Sequence, residues 1–452
     1  MKFPTFWGGI HPCSHKELTN KNKIIYYVPQ GELVFPVSQH IGAPNKAVVK
    51  KGDAVFVGTT LAMTDVQMSA PVLSSVSGVV KDVALRQSVT GNFEECIIVD
   101  NDGQYTLDSG WGSPTTDKTE YISTIRRAGI VGYGGATFPT AIKLTPPPST
   151  KITHIILNGA ECEPYLNCDN RLMIEASEEV LKGLLIVLEL FPEAQGIVAI
   201  ENNKQEALKT MKQSLLSLIQ QNKDVAKVNI LPLEVKYPQG AEKMLIEAVT
   251  GKEYPLSCLP ANVGCIILNV RTAQQIYRAI KLGEPSTERV VTVTGDAIKE
   301  PRNVRTKLGT NIKELIDFCG GFIAEPIKVI SGGPMMGITM RNLDAPVTKA
   351  TSGILALTKQ SAMIHKATPC LRCGKCVAAC PMGLEPVVLD PLVIARKYDE
   401  FEAAGGMNCI ECGSCTYVCP ACRPLTQTCR DGKASVIAKR KKIQQLEQNG
   451  QK

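Results

Sequence analysis

Eight cysteines between positions 370 and 419 constrain this chain more than any other feature. Cys370-x2-Cys373-x2-Cys376-x3-Cys380-Pro381 recurs as Cys409-x2-Cys412-x2-Cys415-x3-Cys419-Pro420, and each cysteine is displaced by 409 − 370 = 39 positions. Two four-iron clusters require eight thiolates, and this unit supplies eight. A close trio wraps three corners of one cube, while the fourth cysteine points across a pseudo-twofold to the other. The spacing therefore assigns Cys370, Cys373, Cys376 and Cys419 to one [4Fe-4S] cluster, and Cys409, Cys412, Cys415 and Cys380 to a second. A pair of zinc knuckles also uses Cys-x2-Cys, but zinc does not explain two three-cysteine runs each followed by Cys-Pro. The unit implies one-electron transfer, not catalysis by itself.

The run is the bacterial ferredoxin pattern. The other nine of the seventeen cysteines, Cys422 and Cys429 among them, have no ligand spacing and read as small buried hydrophobes. A length of 452 residues suggests about three domains. An apolar fraction of 44% excludes wholesale disorder, and 5% aromatics argues against an aromatic nucleic-acid platform. The opening Met1–Ile10 holds no long apolar stretch and is read as no signal peptide. The longest apolar run, Leu184–Leu188, is far short of the ~20 residues of a membrane span. A reducing cytosol is expected, where cysteines serve as metal ligands or buried thiols. Residues 430–452 hold seven Lys/Arg and two Asp/Glu, a net +5 of the chain's +7, and read as a basic tail. No nucleic-acid fold accompanies that tail; an anionic membrane surface or an acidic partner suits it better.

Along the chain, 1–115 is set apart as a module in which 31–100 reads as short strands with turn signals, spaced as in a lipoyl-like barrel-sandwich module. The hairpin tip would lie near Thr64–Met68, which has no Lys to carry lipoate or biotin, so docking is the expected role. Residues 116–285 alternate buried strands (152–157, 197–200, 265–268) with helices over 171–190 and 203–220, an α/β domain. Residues 286–355 fit a β-grasp module, with strands at 290–295 and 327–330 and a helix at 312–318. Residues 356–429 form the cysteine unit. The fold class is thus multidomain α/β ending in a ferredoxin-like α domain.

Two loops of the α/β domain could hold a ligand. Gly132-Tyr133-Gly134-Gly135-Ala136-Thr137-Phe138-Pro139-Thr140 lets a flat ring or phosphate approach the backbone. It is neither a P-loop nor a Rossmann fingerprint. Asn158-Gly159-Ala160-Glu161-Cys162-Glu163-Pro164-Tyr165 follows a buried strand and offers two acids and an amide for flavin edges or a ribose. Taken alone, either could be a plain solvated loop.

Together these motifs resemble the NADH- and FMN-binding subunit of respiratory complex I. They resemble still more the family of C subunits of the Rnf ferredoxin–NAD oxidoreductases. Gly8-Gly9-Ile10-His11-Pro12, Lys16-Glu17-Leu18-Thr19, Asp169 with Arg171-Leu172-Met173, Ser331-Gly332-Gly333-Pro334-Met335-Met336-Gly337 and the double cysteine run carry that likeness. By resemblance, Gly132, Gly134, Gly135 and Ala136 would cradle non-covalent FMN, with Lys143 near its polar tail. Asn158, Glu161 and Glu163 would line the flavin and nicotinamide, and Phe138 would face the dinucleotide. Tyr237, Gly240 and Glu242 match a Tyr-x-x-Gly-Glu-Glu segment of complex I, and Asn269 and Thr272 its Asn-Val-x-Thr. Glu163 and Glu242 would be the working acids, orienting the dinucleotide and adjusting flavin charge. Tyr133, Ala160 and Ala241 depart from the complex I pattern, which has Arg, Asp and Glu there.

The resemblance implies an NADH-dependent oxidoreductase subunit on the cytoplasmic side of the membrane. It would pass electrons between NAD(H), FMN, two clusters and other Rnf-type subunits, with ferredoxin reached indirectly. A soluble corrinoid reductase of similar parts, and a non-enzymatic electron-carrying adaptor, remain open as alternatives.

Overall fold

The computed structural model describes residues 2–450 except 222, 254, 256, 257 and 363–365, with no side chains at 223, 224 and 448–450. The chain divides into two compact units. One joins Ser14–Leu233 to Cys258–Ala362; the other gathers Met1–Cys13, Glu234–Ser257 and Met363–Lys452.

The larger unit contains three β-containing parts. Strands Glu32–Pro36, Phe93–Asn101, Gly78–Gln87 and Ala54–Val55 form an antiparallel sheet, and Lys46–Ala47, Thr60–Met63 and Val72–Leu73 a second. Alternating side chains of both supply one core, including Leu33, Phe35, Leu61, Val72, Val80 and Ile97. The exposed stretch Asp65–Met68 connects Thr60–Met63 to Val72–Leu73, the position of the expected tip.

The α/β part is a four-stranded parallel sheet in the order Val228–Leu233, Gln195–Glu201, His154–Gly159, Cys265–Asn269. Its central strand, His-Ile-Ile-Leu-Asn-Gly, is apolar on both faces because helices cover both. The expected helix 171–190 is two helices, Cys168–Glu175 and Ser177–Leu190, broken at Ala176 (φ −135°). Ser177–Leu190 packs on Val270–Leu282 so closely that a Cβ at Gly183 would lie 1.8 Å from the Ala273 carbonyl oxygen. The chain runs outward from His154–Gly159 and returns on its other side at Cys265–Asn269. That reversal is a topological switch point, where α/β sheets bind ligands at their carboxyl ends.

The third part is a six-stranded mixed sheet in the order Ile24–Tyr26, Arg302–Lys307, Glu288–Thr294, Gly353–Leu357, Lys328–Ser331, Ile338–Thr339, with helix Ile312–Phe318 against it. Ile24–Tyr26, placed by sequence in the N-terminal module, pairs in parallel with Arg302–Lys307.

The smaller unit holds the eight cysteines of the double run. Residues 2–13 join it because Ile10 and Tyr237 exchange backbone hydrogen bonds (2.8 and 2.9 Å) and Gly9 N donates to Ala379 O (3.1 Å). The basic tail begins inside a helix. Residues 430–450 continue a helix, Leu425–Gly450, whose Cys429 and Val436 are buried against Leu389, Val393 and Phe401. Arg430 and Lys433 pair with Glu411, Lys439 with Asp399, and Arg440 with Glu402. Leu425, Cys429 and Val436 form a short buried stripe on this helix, and residues 437–447 are all exposed. Gln451 and Lys452 lie outside the described residues.

Candidate functional site

The glycine loop is held at its neck. Val131 and Pro139 form an antiparallel bridge, and Gly132 N donates to Phe138 O at 2.9 Å. Thr272 Oγ1, in the first turn of Val270–Leu282, accepts from Tyr133 N (3.2 Å) and donates to Val131 O (3.2 Å). Gly134 rests on the end of strand Cys265–Asn269: a Cβ there would lie 2.7 Å from Asn269 Nδ2. A Cβ at Gly135 would meet nothing within 4 Å. Gly134, Gly135 and Ala136 are exposed, Phe138 half-buried. The result is a bare backbone platform beside the positive end of a thirteen-residue helix. Such a platform fits a flat, anionic group such as FMN.

Tyr133 does not face the platform. Its ring is buried beneath the Arg289 guanidinium (5.0 Å), its hydroxyl pairs with Ser286, and its carbonyl accepts from Arg289 Nη2 at 2.8 Å. Ala160 is likewise fully buried. These two departures from the complex I pattern are packing changes.

Asn158 and Asn269, both expected site residues, are register partners on adjacent strands. Asn158 Oδ1 accepts from Ala160 N (3.1 Å). Asn269 caps Val270–Leu282 by accepting from Arg271 N (2.8 Å), and donates to Asp169 Oδ2 (2.6 Å). Lys143 Nζ donates to Ile267 O (3.1 Å) on the same strand. Glu161 accepts from Asp169 N (2.8 Å) and Asn170 N (3.0 Å), closing the start of helix Cys168–Glu175. Burial, with Glu161 nearby, pushes the Asp169 carboxyl up to about 6. Glu163 accepts from Met335 N (3.0 Å) and Met336 N (2.8 Å), so it anchors the Ser331–Gly337 loop.

Two buried lysines missed by sequence reasoning hold the Asn158–Leu166 loop from behind. Lys16 Nζ donates to Glu163 O (3.0 Å) and Leu166 O; Lys204 Nζ donates to Ala160 O and Glu201 Oε2. Burial, reinforced by the Lys204 charge, lowers the Lys16 pKa. Lys204 stands just after a strand end, which was the one available signal. Tyr237, Gly240 and Glu242 lie in the smaller unit, Glu242 opening helix Glu242–Thr250.

In that unit the two cysteine runs build matching turns. Arg372 and Glu411 have φ of 53° and 57°, followed by Gly374 and Gly413 at 74° and 86° and by four-residue helices. One cavity is walled by Cys370, Cys373, Cys376 and Cys419; the other by Cys380, Cys409, Cys412 and Cys415, with Cys429. Each thus combines the trio of one repeat with the Cys-Pro cysteine of the other, and a four-thiol donor set suits an iron–sulfur cube. Leu384 N donates to Cys380 Sγ and Glu411 N to Cys409 Sγ, both at 3.4 Å; in the first cavity Arg372 N donates to Cys370 Sγ at 3.4 Å. Cys370 and Cys373 are exposed, whereas Cys380 and Cys412 are buried. Tyr237 is also buried, and its hydroxyl donates to Cys412 O at 2.7 Å. Of the nine cysteines read as buried packing, Cys13 is exposed and Cys162, Cys258 and Cys422 are half-buried. Cys429 is buried, but in a cavity wall.

Family models match in the order of these parts. Residues 4–104 match the RnfC barrel sandwich hybrid domain, 125–278 the Nuo51 FMN-binding domain, 290–339 the SLBB domain and 362–420 a 4Fe-4S dicluster domain. Among curated proteins, the chain is 45% identical to the C subunit of the proton-translocating ferredoxin:NAD(+) oxidoreductase complex of Clostridium ljungdahlii, over 88% of this chain and 86% of that one. It is 42% identical to the C subunit of the Na(+)-translocating ferredoxin:NAD(+) oxidoreductase complex of Acetobacterium woodii, over 98% and 99%. It is 39% identical to the C subunit of the ion-translocating oxidoreductase complex of Rhodobacter capsulatus, over 95% and 82%.

Proposed function

The chain belongs to the family of C subunits of the ion-translocating ferredoxin:NAD(+) oxidoreductase complexes, and on that premise we propose that it is the peripheral electron-transfer subunit of such a complex. It exchanges hydride between NAD(H) and FMN and carries single electrons through two [4Fe-4S] clusters to or from partner subunits. The carrying observation is the pair of four-cysteine cavities, each built from both repeats, in a chain that also has the FMN-binding domain.

Gly132, Gly134, Gly135 and Ala136 would hold FMN through their backbone, with Asn269 and Thr272 fixing the loop from below. Asn158 stands near a strand end beside it, and Lys143 is tied to the neighbouring strand at Ile267 O. Phe138 would offer a face to the dinucleotide. When bound, the flavin supplies the exchange between a two-electron hydride donor and one-electron carriers. Glu161 and Glu163 act through position: their hydrogen bonds hold a helix start and a glycine-rich loop in place, so the site is assembled before ligand arrives. Glu242 and Tyr237 would serve in the smaller unit, Tyr237 by fixing the main chain at Cys412. Cys370, Cys373, Cys376 and Cys419 would ligate one cluster, and Cys380, Cys409, Cys412 and Cys415 the other.

No helix among the described residues is long and apolar enough to cross a membrane. Attachment to membrane-integral partners on the cytoplasmic face, with ion movement in those partners, is the arrangement proposed. Anaerobically reconstituted protein should hold about one FMN and about eight iron atoms per chain, and NADH should bleach the flavin. Holoprotein without flavin, or flavin indifferent to NADH, would sink the reading.

A further inference from the structure

We infer that Cys429 is a positioning residue for the second cluster, its thiol donating a hydrogen bond to the Cys409 ligand sulfur and so favouring the reduced cluster. The inference rests on the cluster assignment proposed above.

Cys429 lies in the wall of the cavity formed by Cys380, Cys409, Cys412 and Cys415, is 2% exposed, and belongs to the core against which Cys409 packs. Its place is fixed by helix Leu425–Gly450, where Gly432 admits the Phe401 ring and Val436 is buried in the same core. The repeat offset identifies its counterpart, since 429 − 39 = 390. Asp390 lines the first cavity, and there it accepts from Arg423 Nε (2.9 Å) and Nη2 (2.6 Å). The two repeats therefore present the same helix position to their cavities and fill it with different chemistry. The first cavity has four motif cysteines and an ion pair at that position, so a fifth sulfur is not needed to complete a ligand set.

Cluster reduction adds negative charge to the ligand sulfurs. A donor aimed at one of them stabilises that state and raises the reduction potential. The geometry makes the clusters inequivalent at a single position.

The test is a potentiometric titration, followed by electron paramagnetic resonance, of the reconstituted full chain against Cys429→Ala and Cys429→Ser. Cys429→Ala should keep about eight iron atoms. One midpoint should move negative by about tenfold in the reduction equilibrium, ~59 mV for one electron, and the other should stay. Cys429→Ser, whose hydroxyl can still donate, should recover part of the shift. Unmoved midpoints, or equal shifts in both variants, would overturn the inference; loss of about four irons would instead make Cys429 a ligand. An unsubstituted chain holding fewer than about eight irons would refute the cluster reading itself, and this inference with it.

Discussion

Adjacent glycines in the platform loop should respond to the same substitution in opposite ways. Neither Gly134 nor Gly135 has a left-handed backbone, so an L-alanine is conformationally acceptable at both. At Gly134 the new Cβ would lie 2.7 Å from Asn269 Nδ2 and 3.1 Å from Asn269 Cβ and Cγ. Because the Cβ is involved, rotating the amide does not relieve the clash, and Asn269 must move. It would then lose its cap on Val270–Leu282, about 1 kcal/mol, and its hydrogen bond to Asp169, about 1.5–3 kcal/mol for a charged partner. Gly134→Ala should therefore destabilise the larger unit by ~2.5–4 kcal/mol. Gly135→Ala meets no protein atom and should stay within about 0.5 kcal/mol. Its methyl instead occupies the space a bound ring or phosphate would use, so FMN affinity should fall about tenfold or more. Unfolding in urea can be followed by Trp111, which packs on the α/β core, in a Trp7→Phe background that leaves it the single tryptophan. Flavin fluorescence quenching gives the affinity. Equal stability of the two variants would refute the Asn269 argument; undiminished FMN binding by Gly135→Ala would refute the platform.

Three further outcomes are expected. Lys349 is buried, its Nζ donating to Pro71 O (2.8 Å) and Gly129 O (2.7 Å), and burial pushes its pKa down to about 7. The unfolded chain keeps that proton up to the ordinary lysine range, so folding releases it above pH 7 and stability rises with pH by up to about 1.4 kcal/mol per unit until about pH 10. Lys349→Met should flatten the unfolding midpoint over that window; an unchanged slope would show that the charge is not lost on folding. Cys380→Ser should remove the same cluster signal as Cys409→Ser, and Cys419→Ser the same one as Cys370→Ser; matching Cys380 with Cys370 instead would reject crossed ligation. Glu163→Gln loses one of two carboxylate acceptors for the Met335 and Met336 amides, a cost of about 1–3 kcal/mol. Hydrogen exchange there should accelerate, and unchanged protection would deny the anchoring role.

Much of the molecule was legible beforehand because its signals are local. The cysteine runs encode cluster chemistry within eleven residues each, and the ferredoxin pattern they repeat pairs each trio with the distant Cys-Pro. Helix Ile312–Phe318 falls where it was expected, the expected strands 197–200 and 265–268 lie within Gln195–Glu201 and Cys265–Asn269, and the expected strand 152–157 overlaps His154–Gly159 from two residues earlier. The platform glycines were visible as residues, but not what lies under them: Asn269 reaches Gly134 only because the strand order reverses between His154–Gly159 and Cys265–Asn269.

Other features were decided by tertiary structure alone. Ile24–Tyr26 joins a sheet nearly three hundred residues away, and residues 2–13 join the cysteine unit, through main-chain hydrogen bonds. Backbone amides and carbonyls are the same in every residue, so such pairings leave no mark on composition. The carboxylates of Glu161 and Glu163 looked like free ligand groups in the sequence, yet backbone amides claim them. Cys429 had no motif spacing, and residues 430–452 looked like a charged appendage. A helix that packs its apolar stripe on Val393 and Phe401 carries that sulfur into the cavity wall. Spacing set which atoms could hold the clusters, and packing set which other groups stand beside them.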